Sequence, residues 1–244
     1  MGSAIGAIYR RAYGFARANP VLIGLLFALQ LLRRALIVFG SLPAGYRQPF
    51  LIGTNIVDTV TMLVVMIYAL RWWRFRGDRH HMIRLNLRVV WGATVMMAIQ
   101  LTSKFLLTSL GDALAPLYRT GRMLIPAGAL LLWLFISIPL LPWYVALFTD
   151  DRRMTLRRSL GHAQAGWIPA FGLVIGAILP LLAAGIALRL GLRLIDAQFA
   201  WLFRIGEAAM VPVVIATTAS AFFAAYRRVY REPVMWGTGK LGAA

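Results

Sequence analysis

Long apolar runs alternate along this chain with short arginine-rich segments, and the length of the runs sets the first expectation. A helix needs about 20 apolar residues to cross a hydrocarbon core of roughly 30 Å, because every backbone polar group has to be satisfied within the segment. Six stretches have that length: 20-42, 51-70, 89-110, 123-148, 167-190 and 199-226. The pattern predicts an all-α fold, a polytopic transmembrane helix bundle of about six spans forming a single membrane domain over 1-244. Arg33-Arg34 interrupt the first stretch, so a helix break, an early helix end or a re-entrant segment stands beside a full crossing there.

The segments between the runs predict a direction of insertion. Cytoplasmic loops collect Lys and Arg, and with the N-terminus inside, seventeen cations fall on that side: Arg10, Arg11 and Arg17; Arg71, Arg74, Arg76, Arg79, Arg84 and Arg88; Arg152, Arg153, Arg157 and Arg158; and Arg227, Arg228, Arg231 and Lys240. Only five, Arg47, Arg119, Arg122, Arg189 and Arg193, fall outside. Both termini are therefore expected in the cytoplasm. Three of the inside segments, Tyr9 to Asn19, Arg79 to Arg88 and Thr155 to Gly166, mix arginines with apolar residues just before a predicted span. In the last, Met154, Leu156, Leu160 and Ala163 recur at helical spacing, as in a basic amphipathic helix lying in the membrane interface. The three segments suggest a threefold repeat of interfacial helix and hairpin with a period of roughly 70 to 75 residues. A positive-inside protein without any repeat would carry basic residues at the same places.

Composition strengthens the membrane reading and narrows the rest. Hydrophobic residues make up 60% of the chain and charged residues 14%, with a mean hydropathy of +0.73; soluble domains carry about 25% charged residues. The net charge of +18 does not indicate a nucleic-acid partner, since the cations punctuate apolar runs instead of lining a polar face. They point to anionic lipid at the cytoplasmic face. There is no cysteine, which excludes disulfides, thiolate metal sites and cysteine nucleophiles. The apolar run behind Arg10, Arg11 and Arg17 is read as a span and not a cleaved leader, because apolar sequence resumes after Arg34. Gly6 stands where an N-myristoylation signal wants Ser or Thr.

Ionisable groups inside spans are costly and mark partners or water, so they are the candidate site: Arg33, Arg34, Asp58, Lys104, Arg204 and Glu207. At 1.5 Å per residue all six fall roughly 8 to 15 Å below the outer boundary, in one layer. Thr54, Asp58 and Thr61 make one polar stripe, and Gln100, Lys104 and Thr108 another. An Asp58 to Lys104 ion pair is expected between them, and Arg204 can pair with Glu207 one turn away. Arg33 and Arg34 lie about 100° apart on a helix and cannot share one cavity. With four cations and two carboxylates, the layer suits an anionic headgroup or small anion; structural pairs and snorkelling side chains would produce the same charges. No second carboxylate on a neighbouring turn supports a proton relay.

Other features narrow the list further. Pro139, Pro142, Pro180 and Pro212 interrupt later spans, as transporter helices do around a site, and as ordinary membrane helices also do. Gly172 and Gly176 form GxxxG, which serves packing within the bundle or a homodimer. His80-His81 beside Asp78 lack metal-ligand spacing, and His162 stands alone. Asp150-Asp151 before Arg152-Arg153 reads as a solvated, self-neutralising loop. The tail Gly237-Thr238-Gly239-Lys240 departs from a P-loop at Val234 and Leu241. No triad, paired carboxylates or dinucleotide fingerprint is present, so no enzyme activity, cofactor or metal is expected.

Met154-Thr155-Leu156-Arg157-Arg158-Ser159-Leu160 followed by Trp167 and a Gly-rich span, and the ending Ala221-Phe222-Phe223-Ala224-Ala225-Tyr226-Arg227-Arg228, resemble bacterial six-helix membrane proteins of the YciC-like group and the membrane domain fused to some glycerophosphodiester phosphodiesterases. The resemblance covers residues 150 to 235. It implies a multi-pass bundle of a bacterial inner membrane with basic interfacial helices, concerned with lipids or envelope components, and no phosphodiesterase chemistry, because the soluble catalytic domain that would carry it is absent from this chain. The sequence thus leads to a non-enzymatic protein that binds or helps move an anionic lipid or envelope component. The alternatives are a scaffold subunit packed on a membrane-protein partner, and a small-solute transporter.

Overall fold

The structure, a computed structural model, describes residues 2-39, 44-75, 78-114, 140-194 and 200-231. All regular structure among them is helical: α1 (Gly2–Ala18), α2 (Pro20–Phe39), α3 (Ala44–Phe75), α4 (Arg79–Ile83), α5 (Leu87–Leu114), α6 (Leu141–Phe148), α7 (Leu156–Leu194) and α8 (Ala200–Arg231). Three of these contain stretches long and apolar enough to cross a membrane, Ile52–Phe75 in α3, Ile168–Leu188 in α7 and Trp201–Arg228 in α8. A fourth arises if α1 and α2, bent by 93° at their junction, count as one crossing. Among the described residues, three or four of the six expected spans are thus found. The third expected span coincides with α5, whose apolar part, Leu87–Ser103, is shorter. The fourth, 123-148, is described only from residue 140.

The chain divides into two compact units, Met1–Asp78 with Gly172–Ala224, and Arg79–Phe171 with Ala225–Ala244. In the first, α2 turns away from α1 at Asn19-Pro20. A residue before proline is pushed out of the α region, and proline itself suits the first position of a new helix. Asn19 secures the corner: its side-chain Nδ2 donates to Phe15 O at 2.9 Å, and its Oδ1 accepts from Tyr68 Oη at 3.2 Å. α2 then runs without interruption past Arg33-Arg34. The sequence placed the weak point at those arginines; it lies at Asn19, because arginine is a good helix former and Asn-Pro is not.

The inner face of α1 presents Ile8, Ala12 and Phe15, all buried. It crosses three helices. Ile5 lies against Gly176 of α7 and Tyr9 Oη donates to Ala177 O at 2.7 Å; Ser220 of α8 donates to Ile8 O at 3.0 Å. Phe15 packs on Tyr68, Trp72 and Trp73 of α3 with centroids 5.6 to 6.1 Å apart, and Trp73 continues to Phe223 at 5.9 Å. Gly176 of the GxxxG pair thus serves a contact within the unit. Above α1, Leu26, Val65 and Ile215 join α2, α3 and α8 in a small apolar core. Outward, Val21, Leu25, Leu32 and Leu36 of α2 and Leu179, Ile186 and Leu190 of α7 are exposed, each set within one narrow helical stripe. Continuous aliphatic stripes of this kind suit lipid and not water.

In the second unit, Asn86 caps α5, its Oδ1 accepting from Val89 N at 2.9 Å. Gly92 brings α5 against Leu147 of α6 so closely that a Cβ there would sit 2.9 Å from Leu147 Cδ1. Pro142 lies in the first turn of α6, a helix start and not a kink, whereas α8 continues through Pro212. Pro139 and the 237-240 tail lie outside the described residues. The turn from α6 to α7 is built and not merely solvated: Asp150 takes φ 55, and Asp151 accepts from Arg153 N at 3.0 Å and Tyr226 Oη at 2.8 Å. The third expected surface helix, 155 to 166, is continuous with its span within α7.

Candidate functional site

Five of the six candidate residues lie in the first unit, and they form one network. Arg33 Nη1 sits 2.9 Å from Asp58 Oδ2. Arg34 Nε lies 3.5 Å from Glu207 Oε2, and Arg204 Nη1 reaches the same oxygen at 3.2 Å from one turn away. Arg33 and Arg34 therefore do what their 100° separation allows: each takes a carboxylate on a different neighbour, Asp58 on α3 and Glu207 on α8. The sequence could not show that two partners wait on two sides of α2.

Gln30 joins the two halves. Its amide Nε2 donates to Asp58 Oδ1 and its Oε1 accepts from Arg34 Nη1 at 3.2 Å. With 2% of its surface exposed, this amide has both ends occupied, as burial of a polar group requires. Sequence reasoning passed over Gln30 because it is uncharged. The usable signal was a single amide in an apolar run, spaced i, i+4 from Arg34.

Asp58 is held by Arg33 and Gln30; the expected Asp58 to Lys104 pair rests on a Lys104 side chain that lies outside the described residues. Of the polar stripe around Asp58, Thr61 turns its hydroxyl back to Val57 O at 2.7 Å, which satisfies it within its own helix. Arg204 and Glu207 pair as expected.

Charge is unevenly shielded. The Asp58 and Glu207 side chains are 16% and 10% exposed, while Arg204 is 46% exposed. Three guanidinium groups share two carboxylates, leaving one surplus positive charge at the most exposed member. Glu207 holds two arginines, so Arg204 can leave it while Arg34 stays; breaking a buried pair otherwise strands a charge at a cost of about 3 to 5 kcal/mol. Asp58 is held by the charge of Arg33 and the amide of Gln30.

No group of three or more His, Asp or Glu side chains among the described residues is arranged to hold a metal ion. His80 and His81 stand on α4 with rings 5.6 Å apart, edge to face, both exposed; the His162 side chain lies outside the described residues. No protein-family model, curated protein or solved structure matches the chain.

Proposed function

We propose that the protein is a non-enzymatic, multi-pass protein of a bacterial inner membrane that binds an anionic lipid or envelope component at the charged layer of α2, α3 and α8 and helps move it. The observation that carries this reading is the surplus of guanidinium over carboxylate, concentrated in the half-exposed Arg204. Arginine forks suit phosphate-bearing headgroups, offering paired donors in a fixed plane. In the six-span, N-inside arrangement favoured by the distribution of arginines, this layer lies toward the outer leaflet.

The test is lipid co-purification. Native mass spectrometry of the protein extracted with its lipids should show phosphatidylglycerol or cardiolipin retained, and Arg204→Gln should reduce retention about tenfold, the loss of one charge-assisted contact. Arg204→Lys should keep part of it. Retention unchanged in Arg204→Gln would end the binding reading. It would favour the scaffold, whose own support is that the network ties α2 to both α3 and α8.

A further inference from the structure

Exposed arginines and exposed aliphatic side chains alternate at one place in the second unit, and neither water nor hydrocarbon accommodates both. Where α4 passes into α5, Ile83, Leu85 and Leu87 are exposed, Leu87 by 85%, with exposed Arg84 between the first two; Trp91 follows at 64%. Where α6 turns into α7, Leu156 and Leu160 are exposed among exposed Arg152, Arg153 and Arg157. The two segments touch: Arg88 Nη2 donates to Met154 O at 3.5 Å, and Met154 between them is fully buried. Their backbones are held. Asn86 caps α5, Thr155 Oγ1 accepts from Arg158 N at 3.3 Å, and Arg158 Nη1 donates to Arg153 O at 2.9 Å.

Leucines exposed in water would make an apolar patch that soluble surfaces avoid, and arginines in the hydrocarbon core would be costly. The headgroup layer takes both, aliphatic groups dipping toward the acyl chains and guanidinium groups meeting phosphate, with tryptophan at the same level. We propose that these two segments form one platform that seats in the headgroup layer of an anionic leaflet and recruits phosphatidylglycerol-type lipid there. The platform is separate from the Arg204 layer, stands on different residues and does not rest on the lipid-moving reading. It assigns the second unit an interfacial rather than a soluble surface. Exposed Arg84, Arg152, Arg153, Arg157 and Arg158 outnumber the neighbouring Asp78, Asp150 and Asp151, and Asp151 is turned to Tyr226 and Arg153, so charge complementarity selects an anionic leaflet.

The chain has no cysteine, so Leu87→Cys in the full-length protein gives a single labelling point. A bimane label at position 87 is to be read in phosphatidylcholine vesicles with and without phosphatidylglycerol. Quenching by lipids brominated near the headgroup is expected, stronger than by lipids brominated deep in the acyl chain. Preference for spin-labelled phosphatidylglycerol over phosphatidylcholine is expected to fall roughly fivefold for each of Arg152, Arg153 and Arg157 changed to Gln. The triple change to Lys should preserve it and controls for folding. Quenching by iodide without lipid quenching, quenching from deep bromines only, or protection from every quencher would each overturn the platform, by placing residue 87 in water, hydrocarbon or a protein contact. An unchanged lipid preference in the triple Gln variant would overturn the anionic selectivity.

Discussion

Asp58 shows how a side chain inside an apolar bundle earns its place. It accepts from Gln30 and pairs with Arg33, so its removal leaves a guanidinium and an amide facing each other. Asp58→Asn is expected to lower stability by about 2 to 3 kcal/mol, the range for hydrogen bonds to charged groups, read as a lower thermal midpoint in detergent. Exchanging the pair, Arg33→Asp with Asp58→Arg, should recover part of the loss; a double variant no better than either single reversal would rule out the pairing. Gln30→Leu is expected to cost less at Arg33 than at Arg34, whose second partner within α2 it removes. The sequence offered all the charges and, of the pairings described, only that of Arg204 with Glu207. Arg33 reaches Asp58 because α2 lies against α3 at the Leu26 and Val65 contact, a proximity that depth along each helix does not encode.

At the scale of elements, hydrophobic length and periodicity made α2, α3, α7 and α8 legible, because a helix that must satisfy its own backbone in lipid needs little tertiary context. Junctions were less so. The 93° turn at Asn19 was present in the sequence as Asn-Pro, yet Arg33-Arg34 drew attention as the break, since charge in a run is more visible than a missing backbone donor. The α1 helix was anticipated from its mixed arginines and apolar residues, but not its seat: Ser220, Tyr9 and the Phe15 ring cluster are individually ordinary residues whose meaning comes from packing. The α7/α8 pair supplies a prediction of its own. A Cβ at Gly191 would run into the Phe203 ring, so Gly191→Ala forces the ring or the helix aside and should cost about 1 to 3 kcal/mol. Gly176→Ala meets only the end of the flexible Ile5 side chain and should cost less. Thermal unfolding of the two variants side by side checks the order, and equal losses would contradict it.

For the whole molecule, the arginine distribution and the apolar stripes define a membrane protein whose direction is testable at Asp78, which is exposed just beyond α3. Asp78→Cys is expected to react with an impermeant maleimide in inverted inner-membrane vesicles and not in intact cells with a permeabilised outer membrane; the reverse pattern would invert the topology. The Arg34 to Glu207 contact, 173 residues apart, also has a consequence in time. During synthesis at about 5 to 20 residues per second, α8 emerges roughly 9 to 35 s after α2. Arg33 gains Asp58 almost at once from the next helix, but Arg34 has to wait with Gln30 as its nearby acceptor. Arg34 therefore stays without its carboxylate partner for much of the time between the synthesis of α2 and that of α8, and α8 is the helix that completes the network.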